Sequence, residues 1–182
     1  MTDQTRQGVT DETRQGVTDR TRQGVTDRTR QGYVLTGDAT RVDIVRVHRW
    51  LSEESYWALG RDRDVIARSI AGSLPYSVWH DDTQVAFART VTDGATFAWI
   101  CDVFVDTAHR GRGLGQWLVD SIVEDLSAAG LQRFLLATRD AHEVYRRSGF
   151  EPVAGPGRFM EIDRRPTRDA ILAALPDDQP SP

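Results

Sequence analysis

Cysteine is almost missing. Cys101 stands alone among 182 residues, so no internal disulfide can form, and its setting in an apolar run points to a buried, inert thiol. Long apolar stretches are missing too: none approaches the ~20 residues that cross a bilayer, and the first residues are polar, unlike a secretion signal. The cytoplasm is the expected compartment, and no membrane partner is expected. Basic excess is lacking. The net charge is −4 with a pI near 5.6, which gives no general attraction to nucleic acid, so none is expected as a partner. The histidines at 48, 80, 109 and 142 show no Cys or His pairing at zinc-ligand spacing, and no metal is expected.

Apolar residues are also scarce in residues 2–33, which form four octads of the type Thr-Asp-x-Thr-Arg-Gln-Gly-Val, with Gln4, Glu12, Arg20 and Arg28 at the variable position and Tyr33 closing the last. An octad with one apolar residue and one glycine has almost nothing to bury, so residues 1–32 are expected to be a disordered tail. The length suits one domain, expected over residues 33–163, followed by a C-terminal helix and tail over 164–182 that carries Ile171, Leu172 and Leu175.

Within that domain, residues 33–36 read as a strand. Helices follow over 42–51 and 63–71, then strands over 76–80 and 84–91. Asp93-Gly94 signals a hairpin before a strand over 96–106. The run Val103-Phe104-Val105-Asp106-Thr107-Ala108-His109-Arg110-Gly111-Arg112-Gly113-Leu114-Gly115-Gln116 then takes an apolar strand into a glycine loop. Leu114, Trp117, Leu118, Ile122 and Leu126 beyond it share one face of a helix. A strand, glycine loop and helix start aim several backbone N–H groups and a positive dipole end at one spot, which suits a pyrophosphate. Arg110 and Arg112 add cations. A strand over 133–137, a short helix around Tyr145 and a closing strand over 158–162 complete the order β-α-α-β-β-β-α-β-α-β. The expected architecture is α/β, a mixed sheet with helices on both faces.

Three phosphate-binding patterns compete for the loop. The nucleoside-triphosphate loop needs Lys then Ser or Thr after its glycines, whereas Gln116 and Trp117 follow Gly115. A dinucleotide loop needs Gly-x-Gly-x-x-Gly and an acidic residue closing the next strand, which here ends in Thr138 and Arg139. Arg110-x-x-Gly113-x-Gly115 remains. It resembles the (Arg/Gln)-x-x-Gly-x-(Gly/Ala) signature of the GNAT superfamily of N-acetyltransferases. Ala141-His-Glu-Val-Tyr145-Arg-Arg-Ser-Gly149-Phe150 is similar to that family's Ala-x-x-Leu-Tyr-x-x-x-Gly-Phe element. Thr138 departs from it, since relatives often carry Asn there.

The resemblance implies a GNAT acyl-CoA N-acyltransferase fold and acetyl-CoA as co-substrate. It also implies a primary amine of a small molecule or peptide as acceptor. Backbone groups of Val103, Phe104 and Val105 would pair with the pantetheine arm, and the loop from Arg110 through Gly111, Arg112, Gly113, Leu114 and Gly115 to Gln116 would surround the pyrophosphate. Tyr145 is the candidate acid, since a phenol with a pKa of about 10 stays protonated at neutral pH and can donate to a departing thiolate. Asp102 is the second candidate. It interrupts the apolar row Ala98, Ile100, Phe104, where an unpaired carboxylate would be costly. It either orders the amine and accepts its proton, or pairs with Arg89. Trp50, Glu53, Glu54, Tyr56 and Trp57 offer an acidic, aromatic acceptor pocket, or solvent-facing glutamates beside core tryptophans. Two alternatives remain open: a different acyl-CoA donor, and a non-catalytic acyl-CoA-binding or partner-binding module. Edge strands and the apolar C-terminal pattern are compatible with a homodimer.

Overall fold

The computed structural model describes residues 27–165 and Ile171. The first three octads and most of the C-terminal helical pattern lie outside the described residues. Six strands form one sheet in sequence order: β1 (Arg28–Arg30), β2 (Tyr33–Thr36), β3 (Leu74–His80), β4 (Thr83–Thr92), β5 (Ala98–Val105) and β6 (Phe134–Leu135). All neighbours are antiparallel except β5 and β6, which run parallel. The helices are α1 (Ile44–Arg49), continued by a wider turn over Trp50–Glu54, then α2 (Arg63–Ala71), α3 (Leu114–Ala128) and α4 (His142–Arg147).

Alternation sorts the side chains to two faces. On one, α3 lays Leu114, Leu118, Ile122 and Leu126 against Leu35, Tyr76, Val78 and Ile100. On the other, Val47, Trp50, Leu51, Ile66 and Ile70 from the first two helices cover Phe87 and Phe104, with Trp50 stacked on Phe104 at 5.3 Å between ring centres. Each helix on that second face starts at an aspartate. The Asp43 carboxylate accepts from Arg46 N–H at 2.9 Å, and that of Asp62 accepts from Asp64 N–H at 2.7 Å. These are ordinary caps for N–H groups that would otherwise lack partners.

The fold differs from the sequence expectation at both edges of the sheet. Disorder was expected through Gly32, yet the last octad supplies β1, joined to β2 by Gln31 and Gly32, which both have positive φ (51° and 82°). Two such residues make the tight turn that matches strand twist. Arginines then fix the strand: Arg28 donates to Asp125 at 2.6 Å and 3.1 Å, and Arg30 donates to the Arg112 carbonyl at 3.0 Å while lying over the Trp117 ring. At the other edge, the strand expected over 158–162 does not form. A strand needs a partner along its length, and β6 offers two residues, so Phe159, Met160 and Ile162 stay exposed. The Asp93-Gly94 turn is also longer than a two-residue hairpin. Asp93 folds the loop by accepting from Ala95 and Thr96 N–H at 2.9 Å and 2.8 Å.

Candidate active site

The parallel strands β5 and β6 pair only at Ala98 with Phe134 and Trp99 with Leu135. Beyond Trp99, among the described residues, β5 pairs with no strand on that side, which leaves a gap between the two. Asp106 N–H donates to Val85 O at 2.9 Å, so antiparallel alternation turns the main-chain groups of Val105, and of Val103 two residues earlier, away from β4 and toward the gap. The Val105 carbonyl accepts from Arg110 Nε at 2.9 Å. Phe104 lies opposite Phe87 of β4, and its side chain is buried under Trp50. Of the three residues expected to meet a pantetheine arm, Val103 and Val105 therefore present backbone to the gap.

The glycine loop closes one end of this gap. Gly111 and Gly113 have φ of 75° and 71°, and Gly113 is the residue from which α3 starts, with no side-chain cap. A Cβ at Gly111 would meet nothing within 4 Å, so the requirement there is conformational rather than steric. Gly115 lies in the first turn of the helix, where an added Cβ would come 3.5 Å from Val105 Cγ2, an ordinary contact. A capless start of a 15-residue helix leaves the N–H groups of Leu114, Gly115 and Gln116 free of intrahelical partners, a fit for a phosphate group. The Gln116 side chain is committed elsewhere, donating to Ser148 Oγ at 2.6 Å and Asp120 Oδ1 at 2.8 Å, which ties α3 to the end of α4. Arg112 donates to the Tyr33 hydroxyl at 3.1 Å, and Arg110 lies over the Phe104 ring. Both arginines are exposed enough to turn toward an anion at the loop.

Tyr145 stands between two cavities. One, of about 450 Å³, is lined by Tyr56, Trp57, Arg61, Arg89, Trp99, Cys101, Asp102 and Val103 among others. The other, of about 270 Å³, lies toward Phe134, Leu136, His142 and Phe150. Burial pushes the Tyr145 phenol up to about 12, so it is neutral across the physiological range. Its ring meets Phe150 edge-on at 6.1 Å. The short helix α4 is held at its start by Thr138, whose Oγ1 accepts from Ala141 N–H at 3.0 Å. At its end Gly149, with φ 85°, closes it. Thr138 thus supports the Tyr145 helix. His142 and Glu143 are exposed, and Glu143 pairs with Arg146 and Arg147.

Asp102 is buried at 7 % exposure, and its φ of 53° marks a bulge in β5, where Arg89 opposes Cys101 and Phe87 opposes Phe104. Its Oδ2 accepts from Arg89 Nε at 2.6 Å and from Arg61 Nη1 at 3.0 Å, while Oδ1 accepts from the same Arg61 nitrogen at 3.2 Å. The pairing with Arg89 is therefore the arrangement seen, and Arg61 joins it from the loop before α2. No local sequence signal marks Arg61, which arrives from 41 residues away. Cys101 differs from expectation in place: it is half-buried on the cavity wall rather than in the core, and burial pushes its thiol up, away from the reactive thiolate. The glutamates take the solvent-facing alternative, and the carboxylates on the cavity wall are Asp102 and Asp140. Tyr56 and Trp57 line the cavity, whereas Trp50 is core, Glu53 is exposed, and Glu54 pairs with Arg49 at 3.5 Å. A larger groove of about 680 Å³ around Thr36, Asp38, Arg41 and Ile70 lies apart from these groups, with Asp38 occupied in capping the following turn. Among the described residues no cluster of three or more His, Cys, Asp or Glu could hold a metal ion, and no helix is long and apolar enough to cross a membrane.

A sheet split beside a bulged strand, with a glycine-opened helix at the mouth of the split, defines an acetyltransferase fold, and comparison with known proteins agrees. The acetyltransferase (GNAT) family profile matches residues 44–150. The chain belongs to the GNAT acetyltransferase family. The crystal structure of a GNAT-family protein from Xanthomonas campestris superposes with a TM-score of 0.68 at 42 % identity, covering 72 % of this chain and 92 % of that one. The glucosamine-6-phosphate N-acetyltransferase of Arabidopsis thaliana shares the fold, with a TM-score of 0.52 at 12 % identity over 73 % of this chain and 97 % of that one. A histone acetyltransferase of Glycine max is 35 % identical over 68 residues, 37 % of this chain and 29 % of that protein. In such relatives the match spans only about a third of the partner's length.

Proposed function

We propose that the protein is an acetyl-CoA-dependent N-acetyltransferase that transfers acetyl directly to a primary amine of a small molecule or peptide. The observation that carries this reading is the gap beyond Trp99, where unpaired β5 backbone leads to the capless start of α3. Acetyl-CoA, when bound, supplies an acetyl group activated as a thioester.

The residues present fit that group. Val103 and Val105 offer main-chain groups to an extended amide-bearing arm, as an added strand would receive them. The N–H groups from Gly111 to Gln116, with Arg110 and Arg112, suit a pyrophosphate. A β5 N–H at the bulge is the candidate donor to the oxyanion that acyl transfer develops. Tyr145 holds its proton on the phenol oxygen and donates a hydrogen bond to the departing sulfur. With the phenol up at about 12, above a thiol near 8.5, complete transfer from oxygen to sulfur is uphill. Tyr145 therefore acts chiefly by stabilising negative charge on sulfur, and the acceptor nitrogen supplies the proton that finally neutralises it.

Calorimetric titration of acetyl-CoA into the full-length protein tests the reading. Micromolar binding that is lost in Gly113→Glu and Gly115→Glu is the expected result. Absence of binding to the wild type would overturn it and direct attention to other acyl donors.

A further inference from the structure

Two guanidinium groups share one carboxylate on the wall of the Tyr145 cavity, and this imbalance says what the acceptor carries. Arg89 and Arg61 have side chains only 13 % and 24 % exposed, and both point at Asp102. One carboxylate neutralises one of them. The other cationic groups of the cavity have their own partners: Arg139 lies 3.7 Å over the Tyr56 ring and near Asp140, and Arg165 is held by Asp163 at 2.6 Å and 2.8 Å. Arg89 spends only Nε on Asp102, and Arg61 spends only Nη1. The remaining N–H groups of both make no hydrogen bond among the described residues.

A half-buried pair of guanidiniums whose remaining forked donors reach the cavity is well matched to a second anion. The pyrophosphate loop lies at the far end of the gap, so that anion belongs to the other substrate. We infer that the acceptor is an amino carboxylate, a small molecule carrying both the reacting amine and a carboxylate that Arg61 and Arg89 grip, with Trp57 and Trp99 walling its carbon frame. The inference rests on the acetyltransferase reading and sets aside the alternative of an acidic pocket for a purely cationic amine.

The test uses wild-type protein first. Thiol release from acetyl-CoA is followed with amino acids, each matched to its own carboxamide, and acetyl-CoA binding is measured on the same preparation. At least one carboxylate is expected to exceed its amide in kcat/KM by about 10-fold or more, the scale of a charged hydrogen bond at a partly wet site. Arg61→Gln, in an exposed loop, should raise KM for that carboxylate while leaving KM for the amide and the Kd of acetyl-CoA in place. Arg89→Lys, which keeps a cation beside Asp102 but loses the fork, should do the same. If no carboxylate outperforms its amide, pairs with no turnover included, the inference is overturned. Intact acetyl-CoA binding in that preparation would still leave the proposed function standing.

Discussion

The two halves of the candidate site are built from different materials. The half proposed for the donor is mainly backbone: β5 beyond its pairing with β6, positive-φ glycines and the open end of α3. The half proposed for the acceptor is side chains, with Arg61, Arg89, Asp102, Tyr56 and Trp99 converging from separate elements. A backbone site tolerates changes in side-chain identity but not in conformation. A side-chain site responds in the opposite way. The same contrast decides how each half responds to substitution.

The largest expected effect is at Gly113. Glutamate there meets both a left-handed backbone, costly for any L-residue by about 1–2 kcal/mol, and repulsion of the pyrophosphate, so acetyl-CoA binding should vanish in calorimetry. Gly115→Ala sharpens the point: its Cβ would make only an ordinary contact with Val105, so binding should fall far less. Next is Asp102→Asn, which leaves two guanidiniums facing each other without a countercharge. Discounted for partial exposure, a loss of about 2 kcal/mol is expected in denaturant unfolding. A fall in rate with unchanged stability would instead assign Asp102 to the chemistry.

Tyr145→Phe belongs to the seam between the halves. It should keep acetyl-CoA affinity and lose roughly 10²-fold in turnover, read from single-turnover thiol release; equal rates would remove the phenol from the mechanism. The smallest effect concerns pH. The folded phenol, pushed up to about 12 by burial, keeps its proton longer than the unfolded one at about 10. Its stability contribution is therefore complete below about pH 10 and lost as pH rises through about 12. Tyr145→Phe should lessen the slope of that part of the wild-type stability curve, to which the buried Tyr76 phenol, also pushed up, contributes as well, and identical slopes would contradict the burial of Tyr145.

The glycine turn before α3 and the short helix that carries Tyr145 were legible in the sequence because backbone geometry leaves local marks. Glycines 111, 113 and 115 before a helical stripe, and Tyr145 four residues before Gly149, sit in short contiguous runs. The helix over Arg63–Ala71 and the strand over Tyr33–Thr36 were likewise readable from periodicity. The acceptor half was not. Arg61 reaches Asp102 across 41 residues, and periodicity says nothing about which loop arginine meets which strand carboxylate. The Arg89 pairing was accessible because two strands across one hairpin share a phase. Cys101 was misjudged because an apolar neighbourhood in sequence became a cavity wall at a bulge. The missing last strand fails for a reason outside its own residues, the shortness of β6.

The strand Arg28–Arg30 also bears on how the gene can change. The octad next to Tyr33 enters the sheet through Arg28–Arg30, and Arg28 grips Asp125 from there. The octads are not interchangeable in that last position. Arg20 and Arg22 repeat the two arginines at the same offsets, whereas the second octad carries Glu12 where Arg28 stands. A copying slip that brought that octad beside Tyr33 would set a carboxylate against Asp125, in place of the 2.6 Å ion pair. The charge at the variable position of the octad beside Tyr33 therefore decides whether this ion pair can form.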